Sequence, residues 1–260
     1  MKIKLRIEYD GTAYAGWQRQ DNALAVQEVI EDALSGLLKK KTTLIGASRT
    51  DSGVHSLGQT AHFETDARIP AEKYAYALNT MLPNDIRIAA SSLADDDFHA
   101  RFSSLGKVYR YSFRSAAHDS ALTNRFRAHT IYSLDDGIIR RELESLVGLH
   151  DFKAFAAAGS VVKDTVREIY ITHLVRDGAN LDFYICGNGF LYNMIRIIAG
   201  TLVYSGTGKI PEGAFKRAIE SGDRLDLGIT APPNGLTLME VIYDQSRLDL
   251  LRGGGGYFAL

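Results

Sequence analysis

The 260-residue chain has a single cysteine, Cys186, so no internal disulfide can form and the composition fits a reducing compartment, the cytoplasm. Long apolar runs are missing too. The most lipid-like stretch, Ile197 to Tyr204, is far short of the ~20 residues that span a bilayer, so no membrane association is expected. An excess of either charge is also lacking. Thirty Lys and Arg stand against 31 Asp and Glu, a formal charge of −1, which excludes a uniformly basic nucleic-acid coat. Familiar sites are absent as well: the histidines form no His-x3-His pair and have no cysteine partners, so no metal is expected. There is no Gly-x-Ser-x-Gly elbow. Gly206-Thr207-Gly208-Lys209 is no P-loop, because Val203 and Ile210 stand where that motif needs Gly and Ser or Thr. Cys186 sits in an apolar strand pattern and reads as an inert thiol.

What is present is periodic. Lys2 to Tyr9 alternates strictly, which predicts a strand and not a signal peptide. Val26 to Leu38 carries apolar residues at helical spacing, with Asp21 or Asn22 as the expected cap. Thr43 to Ala47 and Leu57 to Glu64 read as strands, Pro70 opens a helix, and Ile86 to Leu93 closes the first half as a strand. The second half repeats the order. A strand runs over Lys107 to Phe113, and Asp135 caps a helix. Val166 to Val175 and Leu181 to Cys186 make a hairpin about Asp177-Gly178. An apolar helix follows over Phe190 to Tyr204, Pro211 starts a short helix, and Leu236 to Tyr243 is the last strand. Two successive β-α-β-β-α-β units predict an α+β protein of two ferredoxin-like halves, residues 1–104 and 105–260, ending in a flexible Gly253–Gly256 tail.

Three features carry chemistry. Arg49-Thr50-Asp51-Ser52-Gly53-Val54-His55 lies in a loop between predicted strands, where Asp51 either closes a turn ahead of Gly53 or presents a carboxylate near the Arg49 guanidinium. The segment His99 to Arg127 holds six cations against one acid. Phe98, Phe102, Tyr109, Tyr111, Phe113 and Phe126 are interleaved with them, a pattern that suits either a half-buried strand or unpaired RNA, which needs phosphate pairing and base stacking. Arg196 is a charge in the otherwise apolar helix after Gly187-Asn188-Gly189, and must either find a carboxylate or reach water.

Together with Tyr9-Asp10-Gly11-Thr12, Gly16-Trp17-Gln18-Arg19-Gln20, Leu82-Pro83-Asn84-Asp85-Ile86, Phe98-His99-Ala100-Arg101-Phe102-Ser103, Tyr109-Arg110-Tyr111, His150-Asp151-Phe152 and Thr230-Ala231-Pro232-Pro233, these strings resemble the tRNA pseudouridine synthase A family across nearly the whole chain. The resemblance implies an isomerase that converts uridine to pseudouridine at positions 38, 39 and 40 of tRNA without a cofactor. It also implies a cleft between the halves and a homodimer. Asp51 matches the catalytic aspartate, as nucleophile or base, Tyr109 the active-site tyrosine, and Arg196 the basic partner of the aspartate. RNA contacts fall to Arg49, His55, His99, Arg101, Phe102 and Arg110. A synthase for another RNA, or an RNA-binding module without catalysis, are the alternatives. The chain departs from the family pattern at Ser48, Tyr192, Asn193 and Ile197, and Phe155 to Ser160 lacks the usual Arg and Cys.

Overall fold

A computed structural model describes residues 1–156 and 164–253; the glycine tail from residue 254 and the segment 157–163, which includes part of the 155–160 stretch, lie outside the described residues. The elements are β1 (Lys2–Tyr9), α1 (Val26–Leu38), β2 (Ile45–Gly46), β3 (His55–Glu64), α2 (Tyr74–Asn79), β4 (Ile86–Ala94), β5 (Gly106–Ser115), β6 (Ala128–Thr130) and α3 (Asp136–Glu144). They continue with β7 (Gly148–Asp151), β8 (Val166–Asp177), β9 (Asn180–Gly187), α4 (Met194–Gly206), α5 (Ala214–Ser221), β10 (Leu236–Ile242) and α6 (Gln245–Arg252). The fold is α+β. Two compact units comprise residues 1–105 with 237–243, and 106–236 with 244–260.

In the first unit the sheet runs β4-β1-β3, with the short β2 on the far side of β3. All three pairings are antiparallel, the order and sense of a ferredoxin-like half. β10 joins β3 in parallel, Thr237 opposite His55 and Leu238 opposite Ser56. The alternation of β1 puts Ile3, Leu5, Ile7 and Tyr9 in the core with Trp17, Ile30, Leu34 and Phe63. In the second unit β5, β9, β8 and β7 pair antiparallel in that order, and β6 lies parallel to β5. Its core gathers Tyr111, Phe113 and Phe183, with the Tyr111 and Phe183 rings stacked at 5.8 Å.

Two helix starts differ from expectation. Neither Asp21 nor Asn22 caps α1; the cap is Ala25, without a side-chain bond, because the carbonyls of Gly16 and Trp17 take the amides of Val26 and Gln27. α4 begins at Met194, four residues after Phe190, because Asn193 turns left-handed at φ 61°. The described residues contain no helix long and apolar enough to cross a membrane.

Candidate active site

The Asp51 loop is held by the chain's opening segment. Thr50 accepts the Trp17 amide at 3.1 Å, the Gly53 amide reaches the Tyr14 carbonyl at 3.3 Å, and the Val54 amide closes on the Asp51 carbonyl at 3.1 Å. The Tyr9 and Thr50 hydroxyls bond at 2.8 Å inside the core. Two glycines make this approach possible. A Cβ on Gly11 would lie 2.0 Å from the Val54 carbonyl oxygen, and one on Gly16, at φ +91°, would lie 2.4 Å from that of Thr50. At the loop's other end the Gln59 amide receives the Ser48 N–H at 3.2 Å and donates to the Ser48 carbonyl at 2.6 Å. Asp51 is thus half-buried on a backbone fixed from both sides, and Gly53 (φ 77°) supplies the turn.

Arg49 and His55 flank the loop in different settings. Arg49 is exposed and forms no ion pair among the described residues. His55 is buried; the Gly11 amide lies 3.1 Å from its Nδ1 and Asp10 Oδ1 lies 3.2 Å from the same nitrogen. In the turn before β5, the His99 Nδ1 accepts the amides of Arg101 and Phe102, both at 3.2 Å, leaving Arg101 and Phe102 at the surface.

The second unit holds Tyr109, Arg110 and Arg196. Tyr109 is buried on β5 opposite Ile185, with the Phe190 ring edge-on at 5.3 Å. Arg110, opposite Tyr184, is half-buried. Arg196 stands in the first turn of α4, where its Nε donates to the Ala231 carbonyl at 2.8 Å and its Nη1 to Asn193 Oδ1 at 2.9 Å. The Ala231 amide returns to the Arg196 carbonyl at 2.9 Å. Segment 228–232 can lie this close because Gly200 and Gly228 lack side chains: a Cβ on Gly200 would stand 1.8 Å from the Ile229 oxygen. Gly228 N–H also bonds Thr201 Oγ1 at 2.9 Å. The departure at Asn193 is therefore explained locally: asparagine tolerates the left-handed backbone and orients the guanidinium.

The basic stretch divides on inspection. Arg127 is held by Asp182 through two bonds of 2.6 and 3.2 Å, and Tyr111 and Phe113 are core. Phe102 and Phe126 are exposed, each with an arginine beside its ring. Sequence reasoning did not single out Tyr9, Thr50, Gln59, Asn193 or Ala231 as the supports of the site residues. The readable signal was the glycine spacing of the opening segment, which marks a place where two backbones meet. Among the described residues no group of three His, Cys, Asp or Glu could hold a metal ion.

The sequence profile described as tRNA pseudouridine synthase matches residues 6–103 and 143–244. The chain belongs to that family. A relative named tRNA pseudouridine synthase A from Acetivibrio thermocellus is 49% identical over 241 residues, 93% of this chain and 99% of its own length. Relatives of the same name are 47% identical over 243 residues in Ruminiclostridium cellulolyticum, with 93% and 99% coverage, and 44% over 246 residues in Bacillus subtilis, with 94% and 100%. As a member of the family the chain is an isomerase that modifies RNA.

Proposed function

We propose that the chain converts uridine to pseudouridine at positions 38, 39 and 40 of the tRNA anticodon arm, as a cytoplasmic homodimer without a cofactor. The reaction breaks the N1–C1′ bond, turns the uracil, forms C5–C1′, and transfers the C5 proton away so that N1 ends protonated. In this reading Asp51 attacks C1′ or removes a sugar proton, and either role needs an ionised carboxylate where water is excluded. Such a carboxylate protonates without a cation, and the family resemblance gives that part to Arg196. Tyr109 stacks on the target base and serves the proton transfer at C5. A base within a stem must first be flipped, which costs a few kcal/mol of stacking and pairing. Contacts from Arg49, His99, Arg101, Phe102 and Arg110 offset that cost, while His55, 2% exposed, holds the Gly11 amide inside the unit and is too deep to touch RNA. The observation that carries the proposal is the rigid presentation of Asp51, whose loop is clamped by the opening segment and by Gln59.

The test is site-resolved pseudouridine mapping on unmodified tRNA. Wild type should modify positions 38–40, and Asp51→Asn should bind the same tRNA with turnover reduced at least about 1,000-fold. Substantial residual turnover would remove Asp51 from the reaction. Pseudouridine at other positions alone, or only in another RNA, would reassign the substrate. Sedimentation of the wild-type chain tests the dimer.

A further inference from the structure

We infer that Phe102 is a stacking platform for one unpaired base of the tRNA substrate, an inference that rests on the proposed tRNA reading. An exposed phenylalanine is ordinary by itself. This one is exposed by construction. Phe102 is 77% exposed, and its ring lies on His99 at 4.3 Å between centroids and 32° between planes. His99 continues to His62 at 5.1 Å, His62 to Phe98 at 5.9 Å, and Phe98 to Tyr243 at 5.1 Å. Lys4 Nζ sits over both last rings, 5.0 Å from Phe98 and 4.2 Å from Tyr243. Phe102 is thus the open end of a ladder of five rings.

The turn that carries it is tied down within itself. The His99 amide bonds Ser103 Oγ at 2.9 Å, the Ser103 amide returns to the His99 carbonyl at 2.9 Å, and His99 Nδ1 takes the amides of Arg101 and Phe102. Ala100 is gripped from both sides, its amide by His62 Nδ1 at 3.1 Å and its carbonyl by the Tyr243 hydroxyl at 2.5 Å. The ring is therefore fixed before any ligand arrives, which reduces the entropy lost on binding. The surrounding charge says how the contact works. Arg101 lies 5.8 Å from the ring centroid, but the exposed run Asp95-Asp96-Asp97 stands just upstream. Those three carboxylates limit phosphate contact at this turn to the one cation beside the ring, Arg101, and leave the ring face itself without a charge to offer. A nucleobase, uncharged and flat, is the ligand that the ring and its setting fit.

Two readouts separate this inference from the function it rests on. The first is binding of an unmodified anticodon-arm RNA hairpin by fluorescence anisotropy; the second is turnover on full tRNA. Phe102→Ala should weaken binding and raise KM about 10-fold, with the salt dependence of binding unchanged. Phe102→Tyr and Phe102→Trp should restore binding to within about 2-fold, while Phe102→Leu, equally apolar but without a π-face, should not. Wild-type affinity in Phe102→Ala, or rescue by leucine as good as by tyrosine, would overturn the platform. So would a change in sedimentation without a change in affinity, which would assign Phe102 to a contact between copies. A wild-type chain that binds the hairpin but forms no pseudouridine would refute the proposed function, and the binding series would still decide the role of Phe102.

Discussion

Glu142 is 1% exposed, a depth at which an unpaired carboxylate is costly, yet it is not part of the site. Its two oxygens take the amides of Gly213 at 2.7 Å, Ala214 at 3.0 Å and Phe215 at 3.3 Å, the start of α5. That helix opens on Gly213 at φ 84° and has no side-chain cap of its own, so Glu142 on α3 does from another helix what an N-cap aspartate does locally. Its charge also faces the positive end of the α5 dipole. Glu142→Ala strands three amides in the interior and should lower the unfolding free energy by about 2–4 kcal/mol, read from denaturant midpoints. Glu142→Gln, which keeps one acceptor oxygen, should lose roughly half as much. A loss below about 0.5 kcal/mol in the alanine variant would mean that water replaces the carboxylate.

At the scale of elements, β3 and the turn before β5 are joined through a titratable ring. His62 is buried on β3, and its Nδ1 accepts the Ala100 amide at 3.1 Å, so adding a proton at that nitrogen breaks the bond. Burial first, then the charges of His99 and Lys2, hold the His62 pKa below its ordinary 6.5, with Glu64 opposing. Below pH 6.5 the unfolded chain therefore binds a proton that the native chain resists. Stability from this group is complete above that pH and is lost as the pH falls towards the lowered native value. His62→Asn keeps an acceptor near Nδ1 and does not titrate. Between about pH 7.5 and about pH 5.5 the urea midpoint of wild type should fall further than that of the variant. Parallel curves would show that His62 does not govern acid sensitivity. Some fall should persist in the variant, because burial and Arg140 lower the pKa of His173 as well.

The same scale shows what was legible. β1, β5 and the β8–β9 hairpin follow from alternation, and α1 from helical spacing, since burial of one face is a local property of sequence. Helix starts were not legible. α1 is begun by carbonyls from Gly16 and Trp17, and α4 by a left-handed Asn193, and neither is visible in a window of neighbouring residues. The last strand was readable as a strand, but its parallel partner, β3, lies about 180 residues earlier in the chain. The loop that carries Asp51, with its turn at Gly53, was legible between two predicted strands. The grip of Gly11, Gly16 and Gln59 on that loop was not, because it is made of backbone contacts that any residue small enough, or any amide, could supply.

Over the whole molecule a formal charge of −1 must still be reconciled with a polyanionic substrate, and the basic stretch 99–127 is where the reconciliation is testable. Its six cations against Asp119 are not equivalent. Arg127 already has its anion, since Asp182 holds it by two bonds with both side chains largely enclosed, and it also contacts the Phe113 carbonyl. Arg101 is exposed and makes no ion pair among the described residues. Only a cation that releases counterions from phosphate contributes to the salt dependence of RNA binding, at about 0.7 to 0.9 in log–log slope per contact. Arg101→Ala should therefore weaken tRNA binding and flatten the slope by about 1. Arg127→Ala should leave the slope unchanged and instead lower the melting temperature, because it leaves Asp182 without its partner. Titrations between about 50 and 200 mM salt, with melting curves of the free proteins, separate the two. If Arg127→Ala flattened the slope as much as Arg101→Ala, the stretch would act as one continuous field, and counting its charges would be the right description. The ion pair argues the opposite: Arg127 is committed within the fold, so in the proposed reading the phosphates are left to cations such as Arg101.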